Sequence, residues 1–433
     1  MIMRSRKEIL DYHCGGKIAL DIKKRPLTHA SLSLAYTPGV AVPVKEIASD
    51  PVLVRELTVK NNTVAVVTDG SAILGLGDLG ASASIPVMEG KALLFKAFAD
   101  IDAWPVPLDH CRINGASTGK TDPDRIIATC QQIACMYGGI NLEDIASPAC
   151  FRIEDELNKK LDIPVFHDDQ WGTAVITLAA VINYALLADK QMANLKVVVN
   201  GAGAAGLRIA DMLKTAGVND ITICDSKGVI SDERIDLSEM KRKYATKTKQ
   251  KYLSNAISGA DLFIGVSVAG CLTGEMAIKM SEFPAIFAMA NPEPEIQPAV
   301  ANAVFGSRPF VMATGRSDYP NQINNVLGFP YLFRGALDAE ATTINSDMKV
   351  AAALALAELA RKTMPHYIQE QCPGKPEFGK DYIVPNPFDK RLLLEVPLAV
   401  ARAAVNSGVA GRNDLTGYPE ELAERSKAMS STS

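Results

Sequence analysis

This chain has no closely paired cysteines and no clustered histidines. Its eight cysteines include no CxxC or CxxxC spacing, the nearest two being Cys130 and Cys135. Its five histidines, at 13, 29, 110, 167 and 366, form no pair at zinc-ligand spacing. Such usage argues against a disulfide framework and a cysteine–histidine zinc site, and fits free thiols in a reducing compartment. Excess basic charge is missing too. The 45 Lys and Arg against 49 Asp and Glu leave a formal charge of −4, so there is no electrostatic footprint for nucleic acid. The opening residues MIMRSRKEILDYH lack the apolar stretch of a signal peptide. No uninterrupted apolar run reaches membrane-spanning length, and no internal repeat or long low-complexity tract is visible. The expectation is a cytoplasmic protein without membrane or nucleic-acid partners, its last Ser-rich residues frayed.

What is present is enough for two full cores. At 433 residues, 48% apolar and 22% charged, the chain has the size and composition of a soluble protein of two ordinary domains. The pattern predicts an α/β fold. TVAVVT (63–68) reads as a buried strand, 88–99 as a helix and DAWPVP (102–107) as a short extended segment. Residues 123–137 and 149–161 have helical spacing, and 173–188 is apolar almost all round, which predicts a buried helix linking two domains. From 196 the pattern is βαβ: KVVVN, a turn, a helix, then ITICD. Apolar segments at 261–266, 285–290 and 310–315 continue it into a doubly wound parallel sheet, where sites form at the carboxyl ends of strands. Helices at 346–363 and 390–407 are expected to pack back across the N-terminal domain. The division expected is 1–165 for an α/β substrate and metal domain, 166–390 for a dinucleotide-binding Rossmann domain, and 391–433 for a C-terminal helical segment.

Two GxGxxG sequences compete for a nucleotide. The turn Gly201-Ala202-Gly203-Ala204-Ala205-Gly206 follows an apolar strand, runs into a helix and is followed by Asp225 at the end of the next strand. Small residues there let backbone N–H groups approach a pyrophosphate. The other, Gly75 to Gly80, carries Asp78, which would repel phosphate, and Pro86 and Gly90 argue against a helix starting at its third glycine. It is read as a turn shaping the substrate cleft before Lys91.

Three groups of carboxylates stand out. Glu154-Asp155-Glu156 lie among Asn158, Lys159 and Lys160 and read as a solvated helix face. Glu143-Asp144 and Asp168-Asp169 each follow a short apolar segment. Carboxylates without Cys or paired His favour Mg²⁺ or Mn²⁺ over zinc. A nitrogen from His167 stays open as a ligand. Carboxylates beside a nucleotide turn suggest metal-assisted redox chemistry on a small acid.

Several of these residues fall in motifs that resemble the malic enzymes. SLAYTPGVA (33–41) is similar to their tyrosine motif, TDG (68–70) with ILGLGDLG (73–80) to a second signature, and PVMEGK (86–91) to the lysine motif. NLED (141–144) and FHDDQ (166–170) resemble the metal motifs; AMANP (288–292) and NQINN (321–325) resemble two substrate-asparagine loops. The resemblance implies oxidative decarboxylation of L-malate to pyruvate and CO₂ with reduction of NAD or NADP. It implies Glu143, Asp144 and Asp169 as ligands of Mg²⁺ or Mn²⁺, and Lys91 as the base for the C2 hydroxyl, with a pKa depressed by the metal and partial burial. Asp168 would be its acidic partner, orienting it or relaying a proton, and Tyr36 the acid that protonates C3. Gly201, Gly203, Ala204, Ala205, Gly206, Asp225 and Asn291 would meet the nucleotide, and Asn291, Asn324 and Asn325 the substrate. By resemblance alone Tyr36 and Lys91 gain these roles; otherwise they read as a buried aromatic and a surface lysine. The arginine that long family members carry after the TDG motif is replaced by Ser71 and Ala72, so the partner of the second substrate carboxylate is unassigned. Asp225 inclines the reading to NAD, while Ser226 and Lys227 keep NADP open. A homodimer or larger homo-oligomer is expected. A malolactic-type enzyme releasing lactate, a metal-independent amino-acid dehydrogenase-like oxidoreductase, and a non-enzymatic nucleotide-sensing module, against which the presence of Tyr36, Lys91 and all three acids speaks, are the alternatives.

Overall fold

A computed structural model describes residues 4–316, 318–370 and 377–431. Two parallel sheets organise it. The first has the order β2-β1-β3-β4: β1 is Thr63–Thr68, β2 Asp102–Pro107, β3 Gly139–Leu142 and β4 Val165–His167. β1 is central, pairing Val64 with Ala103 of β2 and with Gly139 of β3. All six of its residues are buried, as a strand covered on both faces must be. Helices Ala81–Ala99, Pro123–Ile133 and Ala149–Lys160 make the crossovers. Pro123 opens the second of these, behind an Asp122 side chain that accepts from Asp124 N–H.

The helix before Lys91 is longer than its sequence suggests. It starts at Ala81, directly after the third glycine of the 75–80 turn, and runs through Pro86. A proline near a helix start forfeits one intrahelical bond, and burial of Ala81, Ser84, Met88, Lys91, Ala92 and Phe95 outweighs that loss. The 75–80 turn still behaves as a structural element, because Asp78 is paired with the buried Arg112 at 2.8 Å.

The second sheet has the order β10-β9-β8-β5-β6-β7, with β5 Lys196–Asn200, β6 Asp220–Asp225, β7 Gly228–Val229, β8 Leu262–Gly265, β9 Ala285–Ala288 and β10 Val311–Thr314. Only the β6–β7 pairing is antiparallel. The chain leaves β5 toward β6 and returns to its other side at β8, so the sheet switches direction at β5. That is where ligands sit in doubly wound sheets.

Helix Thr173–Leu187 is the hinge of the packing. It touches helix Ala204–Thr215 of the second sheet and helix Ser346–Arg361 of the C-terminal region. The stretch Asp168–Leu187 has the length and hydropathy of a membrane helix, yet 72% of its apolar window is buried inside the protein. Helix Phe329–Asp338 reaches helix Ala81–Ala99, and the last helix reaches the residue after it. Phe329 and Phe333 of helix Phe329–Asp338 meet Phe95 edge-on at 4.7 and 5.3 Å. Losing the Phe95 ring would cost about 3–5 kcal/mol. Arg425 reaches Asp100 at 2.8 Å. Helix Tyr418–Ser431 is ordered into the Ser-rich end; the expectation for residues 432–433 lies outside the described ones.

Residues 4–59 are different. Helices Arg6–His13, His29–Ala35 and Ala41–Ser49 bury no residue. Leu20, Leu34, Val42, Val44 and Val52 are more than half exposed there.

Candidate active site

Lys91 lies at the centre of an acidic cluster. Its Nζ is 2.6 Å from Asp168 Oδ2 and 2.9 Å from Glu143 Oε1, and 4.2 Å above the Phe329 ring centroid. The side chain is 10% exposed, so it is not a surface lysine. Burial works against its charge, but Asp168 and then Glu143 outweigh burial and hold the ammonium far above the usual lysine range. The depressed value expected for a base is therefore not a property of the protein alone.

Glu143, Asp144 and Asp169 each bring a carboxylate oxygen within 4.8 Å of the other two. Glu143 and Asp144 directly follow β3, and Asp169 follows β4, the neighbouring strand. Asp144 N–H donates to Asp169 Oδ2 at 2.8 Å, which closes the two loops on each other. Burial pushes the Asp144 carboxyl up to about 7, and burial likewise raises Glu143 well above the carboxylate range. Asp144 Oδ2 is buried with no hydrogen-bond partner. An unpartnered oxygen among crowded acids is what a divalent cation would satisfy, and an all-oxygen donor set suits Mg²⁺ or Mn²⁺. His167 is fully buried and its Nδ1 is 3.8 Å from Asp169 Oδ2. It stands outside the carboxylate group.

The turn Asp168–Gly172 is a single π-helical turn between β4 and helix Thr173–Leu187. Such turns recur at functional sites. Its other side is anchored by residues that sequence patterning missed. Glu154, read as part of a solvated face, is 3% exposed and accepts from His167 N–H at 2.9 Å and Trp171 Nε1 at 3.0 Å. Only its neighbours Asp155 and Glu156 face water. Arg208 donates to Gln170 at 3.0 Å, and Lys349 places its Nζ 3.6 Å from the Trp171 ring centroid. Burial lowers Lys349 to about 8.

The second glycine turn lies at the switch point. A Cβ on Gly206 would come within 1.8 Å of the Gly201 carbonyl oxygen, and one on Gly201 within 2.4 Å of the Val266 carbonyl oxygen, so the turn closes only with glycine at both places. Gly203 has open space around it, with helix Ala204–Thr215 starting at Ala204 and Ala205. Asp225 does end β6, but its carboxylate is already taken. Arg234 holds it at 2.8 Å and Lys241 at 2.8 Å, and Lys227 N–H donates to it. Burial raises its pKa, yet these bonds outweigh burial and bring it to about 2. An Asp balanced by two cations does not repel a 2′-phosphate as a lone Asp would, which removes the ground for inclining to NAD. Lys227 Nζ is turned to Asp236 at 2.8 Å.

The asparagines divide. Asn291 links the two halves of the cleft: a Cβ on Gly75 would lie 3.3 Å from its carbonyl, and one on Gly315 would lie 3.2 Å from its Nδ2. Asn324 accepts from Val326 N–H and caps a short 3₁₀ turn. Asn325 donates to Asp168 Oδ2 at 3.0 Å and accepts from Thr173 Oγ1 at 3.0 Å, so its amide orients the partner of Lys91. Tyr36 is not brought to the cluster within one chain. It closes helix His29–Ala35 and is 69% exposed, contrary to the buried aromatic its type suggests.

Comparison with known proteins places the chain in a family. The family described as malic enzyme, N-terminal domain matches residues 17–158, and malic enzyme, NAD binding domain matches residues 171–369. The chain is 46% identical to the NADP-dependent malic enzyme of Rhizobium meliloti, covering 98% of this chain and 56% of that protein. It is 47% identical to the bifunctional malic/malolactic enzyme of Bacillus subtilis, covering 99% of each. It thus spans about half the length of some curated relatives and nearly all of others. The crystal structure of malic enzyme from Pyrococcus horikoshii superposes with a TM-score of 0.86 at 38% identity, covering 98% of this chain and 95% of that one. By two matched domains and full-length similarity, the chain belongs to the malic enzyme family.

Proposed function

We propose that this protein converts L-malate to pyruvate and CO₂ with reduction of NADP, dependent on Mg²⁺ or Mn²⁺. The observation that carries the reading is the abutment of two groups: the Glu143, Asp144 and Asp169 oxygens within 4.8 Å of one another, and Lys91 2.6 Å from Asp168. A bound divalent ion would act as a Lewis acid toward the oxygen on C2. Lys91 takes the C2 hydroxyl proton after passing its own to Asp168. Its high pKa rests on Asp168, Glu143 and Asp169; were Glu143 and Asp169 to serve a cation, Asp168 alone would hold the ammonium, and deprotonation would become easier. Asn325 keeps Asp168 aimed at the lysine. Gly201, Gly203 and Gly206 would admit the pyrophosphate, and Asn291, close to both Gly75 and Gly315, would meet substrate and nicotinamide. NADP is favoured because Arg234 and Lys241 flank Asp225, and it agrees with the names of relatives from Escherichia coli and Halomonas elongata.

Tyr36 remains the proposed donor of a proton to C3, and its exposure supports a homodimer. An apolar segment that buries nothing of its own calls for a cover, and a second copy would supply one while bringing Tyr36 to the partner's cluster. A cytoplasmic setting belongs to the same reading, supported by seven free thiols among the described residues. The decisive assay supplies L-malate and Mn²⁺ with NADP or NAD, and reads reduced cofactor and product. Pyruvate with reduced cofactor is expected. Lactate without free reduced cofactor would make the enzyme malolactic, and undiminished turnover in excess chelator would remove the metal from the reading.

A further inference from the structure

The turn that carries Asp168 and Asp169 is connected to the nucleotide half by a continuous run of side-chain and backbone contacts. The run starts at Asp225, at the end of β6, where the second strand of a dinucleotide fold meets the adenosine ribose. Lys241 grips Asp225 at 2.8 Å. Tyr244 N–H donates to the Lys241 carbonyl at 3.0 Å, and the Tyr244 hydroxyl donates to the Asp211 carboxylate, lying 2.8 and 2.9 Å from its two oxygens. Asp211 pairs with Arg208 at 3.4 Å, and both stand on helix Ala204–Thr215, which begins at the pyrophosphate turn. Arg208 then enters the catalytic turn. It donates to Gln170 Oε1 at 3.0 Å and lies 4.6 Å from the Trp171 ring centroid. Gln170 is fully buried and Arg208 only 14% exposed, so neither contact is a loose surface pair.

We propose that Arg208 is a positioning residue through which cofactor and divalent ion favour each other's binding. The inference rests on the assignment of Asp169 to the metal and of the glycine turn to the nucleotide. Its physical basis is the stiffness of the turn. Asp169 is one residue from Gln170 and two from Trp171, and Glu154 fixes the Trp171 indole at 3.0 Å. A nucleotide that steadies Lys241 and helix Ala204–Thr215 therefore steadies Gln170 and Trp171. That removes part of the ordering cost that the ion would otherwise meet. A coupling of this kind is reciprocal by thermodynamic necessity.

The test measures Mn²⁺ affinity from free Mn²⁺ by electron paramagnetic resonance, with and without saturating NADPH. NADPH affinity is measured from its fluorescence, with and without Mn²⁺. In the unaltered protein NADPH should tighten Mn²⁺ at least about fivefold, and Mn²⁺ should tighten NADPH by the same factor. Arg208→Lys keeps the charge but loses the planar fork, and Tyr244→Phe removes one hydroxyl distant from both ligands. Each should bring the ratio close to one. Tyr244→Phe should leave Mn²⁺ affinity without nucleotide within about threefold, the size expected of losing one distant hydrogen bond. A merely structural role would weaken both affinities and leave the ratio intact. A ratio of one in the unaltered protein, or a ratio preserved in both variants, overturns the proposal. Mn²⁺ binding that survives Asp169→Ala would instead overturn the metal assignment, and absence of NADPH binding the nucleotide assignment.

Discussion

Alanine at Gly172 tests the geometry of Lys91 and Asp168 without touching either. Gly172 has ordinary helical backbone angles, φ −57° and ψ −53°, so alanine is conformationally suited to it. On propensity alone the change should stabilise the helix start by up to about 1 kcal/mol. The obstacle is space. A Cβ there would lie 1.9 Å from Asp168 Oδ1, 2.8 Å from its Cγ and 3.1 Å from Asn325 Nδ2. To restore ordinary contact the Asp168 carboxylate must retreat by roughly 1.5 Å, which is the gap between that approach and normal van der Waals separation. It cannot do so while its Oδ2 stays 2.6 Å from Lys91 and 3.0 Å from Asn325. A displacement of about 1 Å in a catalytic pair costs on the order of a hundredfold in rate, or about 2.7 kcal/mol of barrier. The assay is kcat/KM for malate oxidation, read beside a thermal melt and the oxaloacetate-reduction rate. Both rates should fall together, because Lys91 serves both directions, while the protein stays folded. A Gly172→Ala enzyme within about threefold of the unaltered one would refute the claim that Asp168 must hold Lys91 where it stands.

Other expectations follow from the same site. Because burial keeps a proton on Asp144 up to about pH 7 in the metal-free protein, an entering ion must displace it. Mn²⁺ affinity should therefore drop by at least about tenfold per pH unit below 7, since burial raises Glu143 as well; a flat calorimetric profile from pH 5.5 to 8 would contradict this. Arg234→Ala and Lys241→Ala should each shift preference from NADP toward NAD by on the order of tenfold, the worth of a charge-assisted hydrogen bond. An unchanged ratio of kcat/KM values would place the 2′-phosphate elsewhere. Tyr36→Phe and Lys91→Ala should each lower malate-to-pyruvate turnover by a factor on the order of 10²–10⁴. Mixed and re-equilibrated, the two variants should regain roughly a quarter of full activity if Tyr36 serves the partner's cluster, since half of the dimers then carry one intact site. No recovery would return Tyr36 to its own subunit or remove it from the chemistry.

Much of the fold was legible because buried parallel strands are nearly continuous apolar runs. β1, β5, β8 and β9 lie inside the segments their residues predict. Helix Ala81–Ala99 was legible only from its middle, since Pro86 and Gly90 masked a start fixed by burial. The acidic cluster was legible as well, because its members end adjacent strands and sit one to two residues beyond them. Residues that hold the cluster from behind were not. Glu154 has the same chemical surroundings in sequence as Asp155, and only the nearness of His167 and Trp171 makes one buried and the other solvated. Arg208 and Lys349 likewise look like ordinary helix-surface cations until Trp171 is placed beside them.

The sequence by itself indicated the strands of the second sheet, the glycine turn that follows a strand and leads into a helix, and the acid pairs that follow short apolar segments, because each depends on short-range spacing and residue type. Tertiary structure alone decided what those residues are free to do. Asp225 was recognisable as the acid at the end of β6, but Arg234 and Lys241 decide that its charge is already balanced. Asn325 was recognisable as a substrate asparagine, but its two hydrogen bonds give it to Asp168 and Thr173. Lys91 stood out only through the motif it shares with a known family, but Asp168 and Glu143 set its charge. Electrostatic and hydrogen-bonding partners act over a few ångströms, and here the chain brings them from 9 to 157 residues away.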